Sequence, residues 1–295
     1  MVKWRGRRQS KNVEDRRGAA AAGGAGILLM LIRFIVGRFG IRGIVLLGIV
    51  GTGLYFAGVN PIDMLQQQQQ PSSTQLACPS DDETIGFICT MVADTEDVWS
   101  NKFRLAGQDY PEPTLVLFSN GVNSACGYAS SAVGPFYCPA DQKLYLDTGF
   151  FAELARRFGA PGDFAAAYVI AHEVGHHVQT VTGISNQVRT AQQRARGDAE
   201  SHELQVRMEL QADCYSGIWA HDADRTSGIL EDGDIEEGLR AAEAIGDDTL
   251  QRNAGRRVTP ESFTHGTSAQ RQEWFVRGYR TGDVASCDTF SAQQL

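Results

Sequence analysis

Between Thr84 and Gly107 the apolar residues Ile85, Ile88, Val92, Val98, Trp99 and Phe103 recur at helical spacing, which predicts an opening helix or two. Thr114–Ser119 (TLVLFS) is a short apolar run bounded by Pro113 and Asn120-Gly121, and Gln142–Asp147 (QKLYLD) alternates; both predict strands. Asp163–Thr180 predicts a long helix, with Asp163 as N-cap and Gly183 past its end. A second long helix is expected over Asp198–Asp222, and shorter ones over Ile235–Gly246 and Ala269–Arg280. Helix, strands and then helices, without βαβ alternation, predict an α+β body in which a small sheet packs against a helical bundle.

A different pattern runs from Ile27 to Val59, which is apolar almost throughout. A single span needs about 20 apolar residues. The window Ile27–Leu46 would bury Arg33 and Arg38, whereas Ile41–Val59 carries no charge after Arg42 at its edge, so the expected transmembrane helix is 41–59. Residues 60–77, with QQQQQPSSTQ at Gln66–Gln75, then form a polar linker. This divides the chain into a basic cytoplasmic or juxtamembrane segment at 1–40, the span, the linker and a folded domain at 78–295.

Charge changes the picture. The net charge is −8, but residues 1–42 hold ten Lys/Arg against Glu14 and Asp15, so the opening carries +8 and the rest −16. An acidic body repels phosphate, which argues against a nucleic-acid partner. By the positive-inside rule the basic opening is expected in the cytoplasm and the body outside it, on a single-pass cell-membrane protein. All six cysteines (Cys78, Cys89, Cys126, Cys138, Cys214, Cys287) follow the apolar stretch, as suits disulfides in an oxidising compartment. Their spacing suggests two local staples, Cys78–Cys89 and Cys126–Cys138, and a long tie from Cys214 to Cys287.

The candidate chemistry lies in AAAYVIAHEVGHHVQ. His172 and His176 stand four apart, so both imidazoles leave one helix face and can share a metal, with Zn2+ the expected cofactor. Glu173 lies between them, placed to act on water as a general base. His177 is about 100° further round and is expected to pack or support rather than ligate. A metzincin would place a glycine at 179 and a histidine at 182; the chain has Gln179 and Thr182. The third ligand is then expected from a following helix, which offers Glu203 and Glu209. Glu209 is favoured because Asp213 stands one turn on, able to accept the other N–H of a ligating histidine; His202 is the fallback.

HEVGHH, with ELQADCYSG starting 33 residues after His176, resembles the gluzincin group of HExxH peptidases. More closely, the chain resembles the bacterial neutral zinc metallopeptidases, membrane-anchored and of this length. The likeness includes WRGRRQSKNVEDRRG (Trp4–Gly18), SACGYASSAVGPFYCP (Ser124–Pro139), KLYLD (Lys143–Asp147) and FTHGTSAQR (Phe263–Arg271). It implies a zincin-like domain with His172, His176 and Glu209 as zinc ligands, Glu173 as catalytic base and Asp213 behind a ligand. His265 is a further candidate, either for stabilising an oxyanion or for bonding to Asp213, with a plain surface-loop histidine as the alternative. The KLYLD strand is a candidate edge for an extended peptide. The expected activity is hydrolysis of peptide bonds in a peptide or protein substrate. The alternative is a zinc-stabilised binding or assembly factor with little or no peptidase activity.

Overall fold

A computed structural model describes residues 2–17, 78, 82–150, 154, 162–293 and 295. Strand β1 spans Val13–Asp15, helix α1 Glu83–Leu105, and strands β2 to β6 span Thr114–Phe118, Gly121–Ser124, Gly127–Ser130, Phe136–Cys138 and Lys143–Asp147. The helices that follow are α2 Asp163–Val181, α3 Ile184–Gln193, α4 Asp198–Ser227, α5 Asp234–Ala244, α6 Asp247–Asn253 and α7 Ser268–Thr281. The fold is α+β, as the pattern predicts.

The four-stranded sheet has the order β1-β2-β6-β5; β1, β2 and β6 are parallel and β5 is antiparallel to β6. Strands β3 and β4 form a separate hairpin. The KLYLD strand is β6, flanked on both sides, so it is not the edge expected for an added peptide; β5 is. Leu115, Leu117, Leu144 and Leu146 are fully buried, as parallel strands covered by helices require. The bundle core is aromatic, with Phe164, Tyr168, Trp219, Trp274 and Phe275 all at 1% exposure or less.

Helix α4 crosses α2 and α7 at glycines. A Cβ on Gly175 would meet the Ala212 backbone at 3.0–3.1 Å, and one on Gly278 would lie 1.9 Å from the Cys214 carbonyl. The glycine inside HEVGH is therefore what brings the two long helices together. Asp163 is the first residue of α2 rather than its cap, which is Gly162. Helices α3 and α6 and strands β1, β3, β4 and β5 lie where no element was predicted, because each is short and borrows its stability from neighbours.

All three expected disulfides are present: Cys78–Cys89, Cys126–Cys138 and Cys214–Cys287. No helix among the described residues is long and apolar enough to cross a membrane; the expected span at 41–59 and linker at 60–77 lie outside them. The expected boundary at residue 78 does not hold as drawn. Residues 2–17 are built into the same body: Val2, Ser10 and Val13 are buried, and β1 is a strand of its sheet.

Candidate metal centre

Helix α2 presents Tyr168, His172 and His176 at successive turns of one face, and α4 presents Glu209 and Asp213 opposite them. One donor atom from each of His172, His176 and Glu209 lies within 4.8 Å of the others. The Nε2 atoms of His172 and His176 are 3.2 and 3.4 Å from Glu209 Oε2. On the far side of each ring the Nδ1 is engaged: His172 Nδ1–H donates to Asp213 Oδ1 (2.7 Å) and His176 Nδ1–H to Gln179 Oε1 (2.9 Å). Both imidazoles therefore turn Nε2 towards Glu209, whose other oxygen accepts from Gln205 Nε2 at 2.9 Å. Fixing the remote nitrogen in this way is how a protein sets the tautomer of a metal-binding histidine.

A buried cation balances the acids. Arg271, 2% exposed, donates from Nε to Asp213 Oδ2 (2.8 Å) and from a terminal nitrogen to Asp213 Oδ1 (2.9 Å); the Tyr168 hydroxyl donates to Oδ1 at 2.6 Å. Burial alone would raise the Asp213 pKa, but Arg271 and then His172 hold it at about 2. Burial likewise opposes charge on His172, yet Asp213 and Glu209 lift it to about 10, and Glu209 lifts His176 in the same direction. Burial also pushes Glu209 up, but the two imidazoles hold it well below the usual carboxylate range. The cluster thus holds positive charge between its donors, and a metal ion can take the place of the protons. Two imidazoles and one carboxylate form a set that zinc accepts, with a position left open.

Glu173 is raised by burial and faces the cleft, with the Tyr137 backbone amide on β5 favouring its charged form. The cleft, about 440 Å³, includes Val133, Phe136, Phe150, Val169, Ile245 and Leu250 in its wall, besides the donors, Glu173, His265 and Arg271. His265 sits on a loop tied down by Asp247, whose Oδ2 accepts the backbone N–H groups of Thr264, His265 and Gly266 at 2.7, 2.6 and 3.1 Å. Asp247 Oδ1 is 3.3 Å from His265 Nδ1, and that hydrogen bond raises the histidine above its ordinary value. The other suggested partner of His265, Asp213, is taken up by Arg271, Tyr168 and His172.

His177 points the other way, as its helical angle requires. Its Nε2–H donates to the Pro111 carbonyl (2.6 Å) and its Nδ1 accepts from the Tyr137 hydroxyl (3.1 Å); burial lowers it to about 4, so it is neutral. The fallback ligand His202 is half-buried and bonds to the Glu261 carbonyl, away from the cluster. Glu203 pairs with Arg207 on the surface of α4. A second acidic set, Asp163, Asp234 and Glu237, contains no histidine, and the Val2 amide already faces Asp163.

Sequence reasoning missed Tyr168, Arg271, Asp247, Gln179 and Gln205. Tyr168 was within reach, being four residues before His172 on the same face. Asp247 and Arg271 carried no local signal, since their partners lie 18 and 58 residues away.

Comparison with known proteins agrees with this geometry. The family described as "Putative neutral zinc metallopeptidase" matches residues 2–290. Uncharacterized protein YpfJ of Escherichia coli K12 is 46% identical over 292 residues, 98% of this chain and 99% of the relative. Uncharacterized protein Rv2575 of Mycobacterium tuberculosis H37Rv is 44% identical over 259 residues, 81% of this chain and 85% of the relative. No solved structure matches.

Proposed function

The chain belongs to the neutral zinc metallopeptidase family, and from that premise we propose that it is a membrane-tethered zinc peptidase acting outside the cytoplasm. The observation that carries the reading is the convergence of His172, His176 and Glu209 on one point, beside Glu173 and at the wall of an open cleft. Zn2+ held by these three residues would polarise a scissile carbonyl and lower the pKa of a water towards about 7. Glu173, on the cleft side of α2, takes a proton from the attacking water and passes it to the leaving amine. Asp213 and Gln179 keep the two imidazoles aimed at the metal position. His265, oriented by Asp247, donates to the oxygen that gains charge as the carbonyl becomes tetrahedral. The apolar wall of the cleft accommodates side chains of an extended peptide. The three disulfides support an oxidising compartment, and the apolar stretch at 27–59 supports attachment to a membrane.

The test is the purified full-length protein, loaded with zinc, on an unfolded protein and a peptide library. Glu173→Gln should keep its zinc while turnover falls by ~10²–10⁴-fold. His265→Ala should also keep zinc and lose about 10²–10³-fold, the range for one oxyanion donor. A wild-type protein that binds zinc but cleaves no better than Glu173→Gln would favour the binding or assembly factor.

A further inference from the structure

We propose that residues 2–17 are an integral arm of the catalytic body and lie on the same side of the membrane as it does. Arg17 and Cys78, the described residues on either side of the next 60, then share that side as well. This goes beyond the peptidase reading, and it rests only on that reading's membrane attachment.

Main-chain pairing comes first. Strand β1 runs parallel to β2 in the register Val13↔Leu115, Glu14↔Val116 and Asp15↔Leu117. Leu115 N–H donates to the Asn12 carbonyl and Arg16 N–H to that of Leu117, both at 2.8 Å. Elsewhere along the arm, Ser10 N–H donates to Cys89 in α1, and Lys3 N–H to Ile229 beyond the end of α4. An arm fastened at β2, α1 and the α4–α5 connection is not a loosely associated tail.

Charge gives the second argument, independent of the first. Asp94 and Glu96 on α1 are 6% and 1% exposed at the side chain. The guanidinium groups beside them come from the arm: Arg7 pairs with Asp94, and Arg8 with Glu96 at 2.9 Å and Asp97 at 2.8 Å. In the reverse sense, Lys143 of β6 pairs with Glu14 of the arm. Removing the arm would leave two buried carboxylates without these cations, and a buried charge left without its partner is strongly destabilising.

These pairs reassign the basic opening. Besides any part in orientation, Arg5, Arg7, Arg8, Arg16 and Arg17 all meet carboxylates in the folded body. A single crossing by 41–59 would place the arm beyond a hydrocarbon layer about 30 Å thick, out of reach of every partner named above. The two ends of the intervening stretch also meet: Arg17 Nη1 lies 3.8 Å from Asp82 Oδ2, just past Cys78.

The test is site-specific labelling of the full chain in intact cells. Every native cysteine is in a disulfide, so an added one supplies the reactive thiol. Lys11→Cys reports the arm and Leu105→Cys, at a side chain 72% exposed, reports the body. Each is treated with a membrane-impermeant maleimide before and after permeabilisation. The two positions should label under the same condition, both before or both only after. Labelling of one in intact cells and of the other only after permeabilisation would place them on opposite sides and overturn the proposal. A second measurement does not depend on cell compartments. A charge swap, Arg8→Glu with Glu96→Arg, should recover at least half of the Tm lost by Arg8→Glu alone; no recovery would mean that the arm is not held by these charges. Neither readout uses turnover, so failure here is distinct from failure of the peptidase reading.

Discussion

Two sets of buried acids on helices, Asp213 in α4 and the pair Asp94 and Glu96 in α1, are both met by arginines, with opposite results. Asp213 is fully buried against a fully buried Arg271, and despite burial it settles at about 2. Asp94 and Glu96 are almost as deeply buried, but Arg7 and Arg8 remain 25% and 44% exposed at their side chains, and burial wins: both acids stay above the ordinary value. A cation held in the same dry space over-compensates an acid, whereas one that still faces water does not. The candidate site thus keeps its outer carboxylate charged with a fully buried cation from α7, while the acids of α1 are met by half-exposed cations from the arm.

The sharpest way to break this comparison is to remove each arginine. Arg271→Met leaves Asp213 buried with only His172 and Tyr168 beside it, and should cost about 3–5 kcal/mol, the range for breaking a fully buried pair. Arg7→Ala leaves Asp94 with the Trp219 indole, which donates to it at 3.2 Å, and should cost about 1–3 kcal/mol, between exposed and buried pairs. Urea unfolding of the zinc-free variants reads both. Equal costs would mean that exposure of the arginine does not decide the strength of the pair.

The same contrast explains what could be read from sequence. HEVGH and ELQAD reveal themselves because their residues act at i and i+4, a spacing that fixes which side chains share a helix face. The disulfides were legible because the two short loops left one pair over. The arm was not. Its three-residue strand has too little pattern to predict, and Arg5, Arg7 and Arg8 pair with residues more than 75 positions away, which a count of charges along the chain does not show. KLYLD was recognised as a strand but not as an interior one, because its second neighbour is the three-residue β5, which the periodicity does not show. His265 was noticed without its partner, since Asp247 stands 18 residues away at the start of α6 and not at a regular spacing from it.

The smallest expected effect probes the half-buried end of the arm. Asp15 and Arg17 are 15% and 27% exposed at their side chains, and two hydrogen bonds from the guanidinium, at 2.9 and 2.6 Å, join the carboxylate. Arg17 thereby holds Asp15 below its ordinary value, with partial burial opposing. A carboxylate lowered in the folded state contributes stability that is complete above its unfolded pKa, near pH ~4, and is lost as the pH falls through the folded value. Asp15→Asn should therefore cost no more than about 1 kcal/mol at pH 7, the scale of a solvent-screened pair. That difference should shrink steadily as the pH drops below about 4, because the parent loses the interaction that the variant never had. Urea midpoints of the two proteins across this range decide it. A gap that stays constant down to pH 3 would mean that Asp15 contributes through packing at the sheet edge and not through its charge.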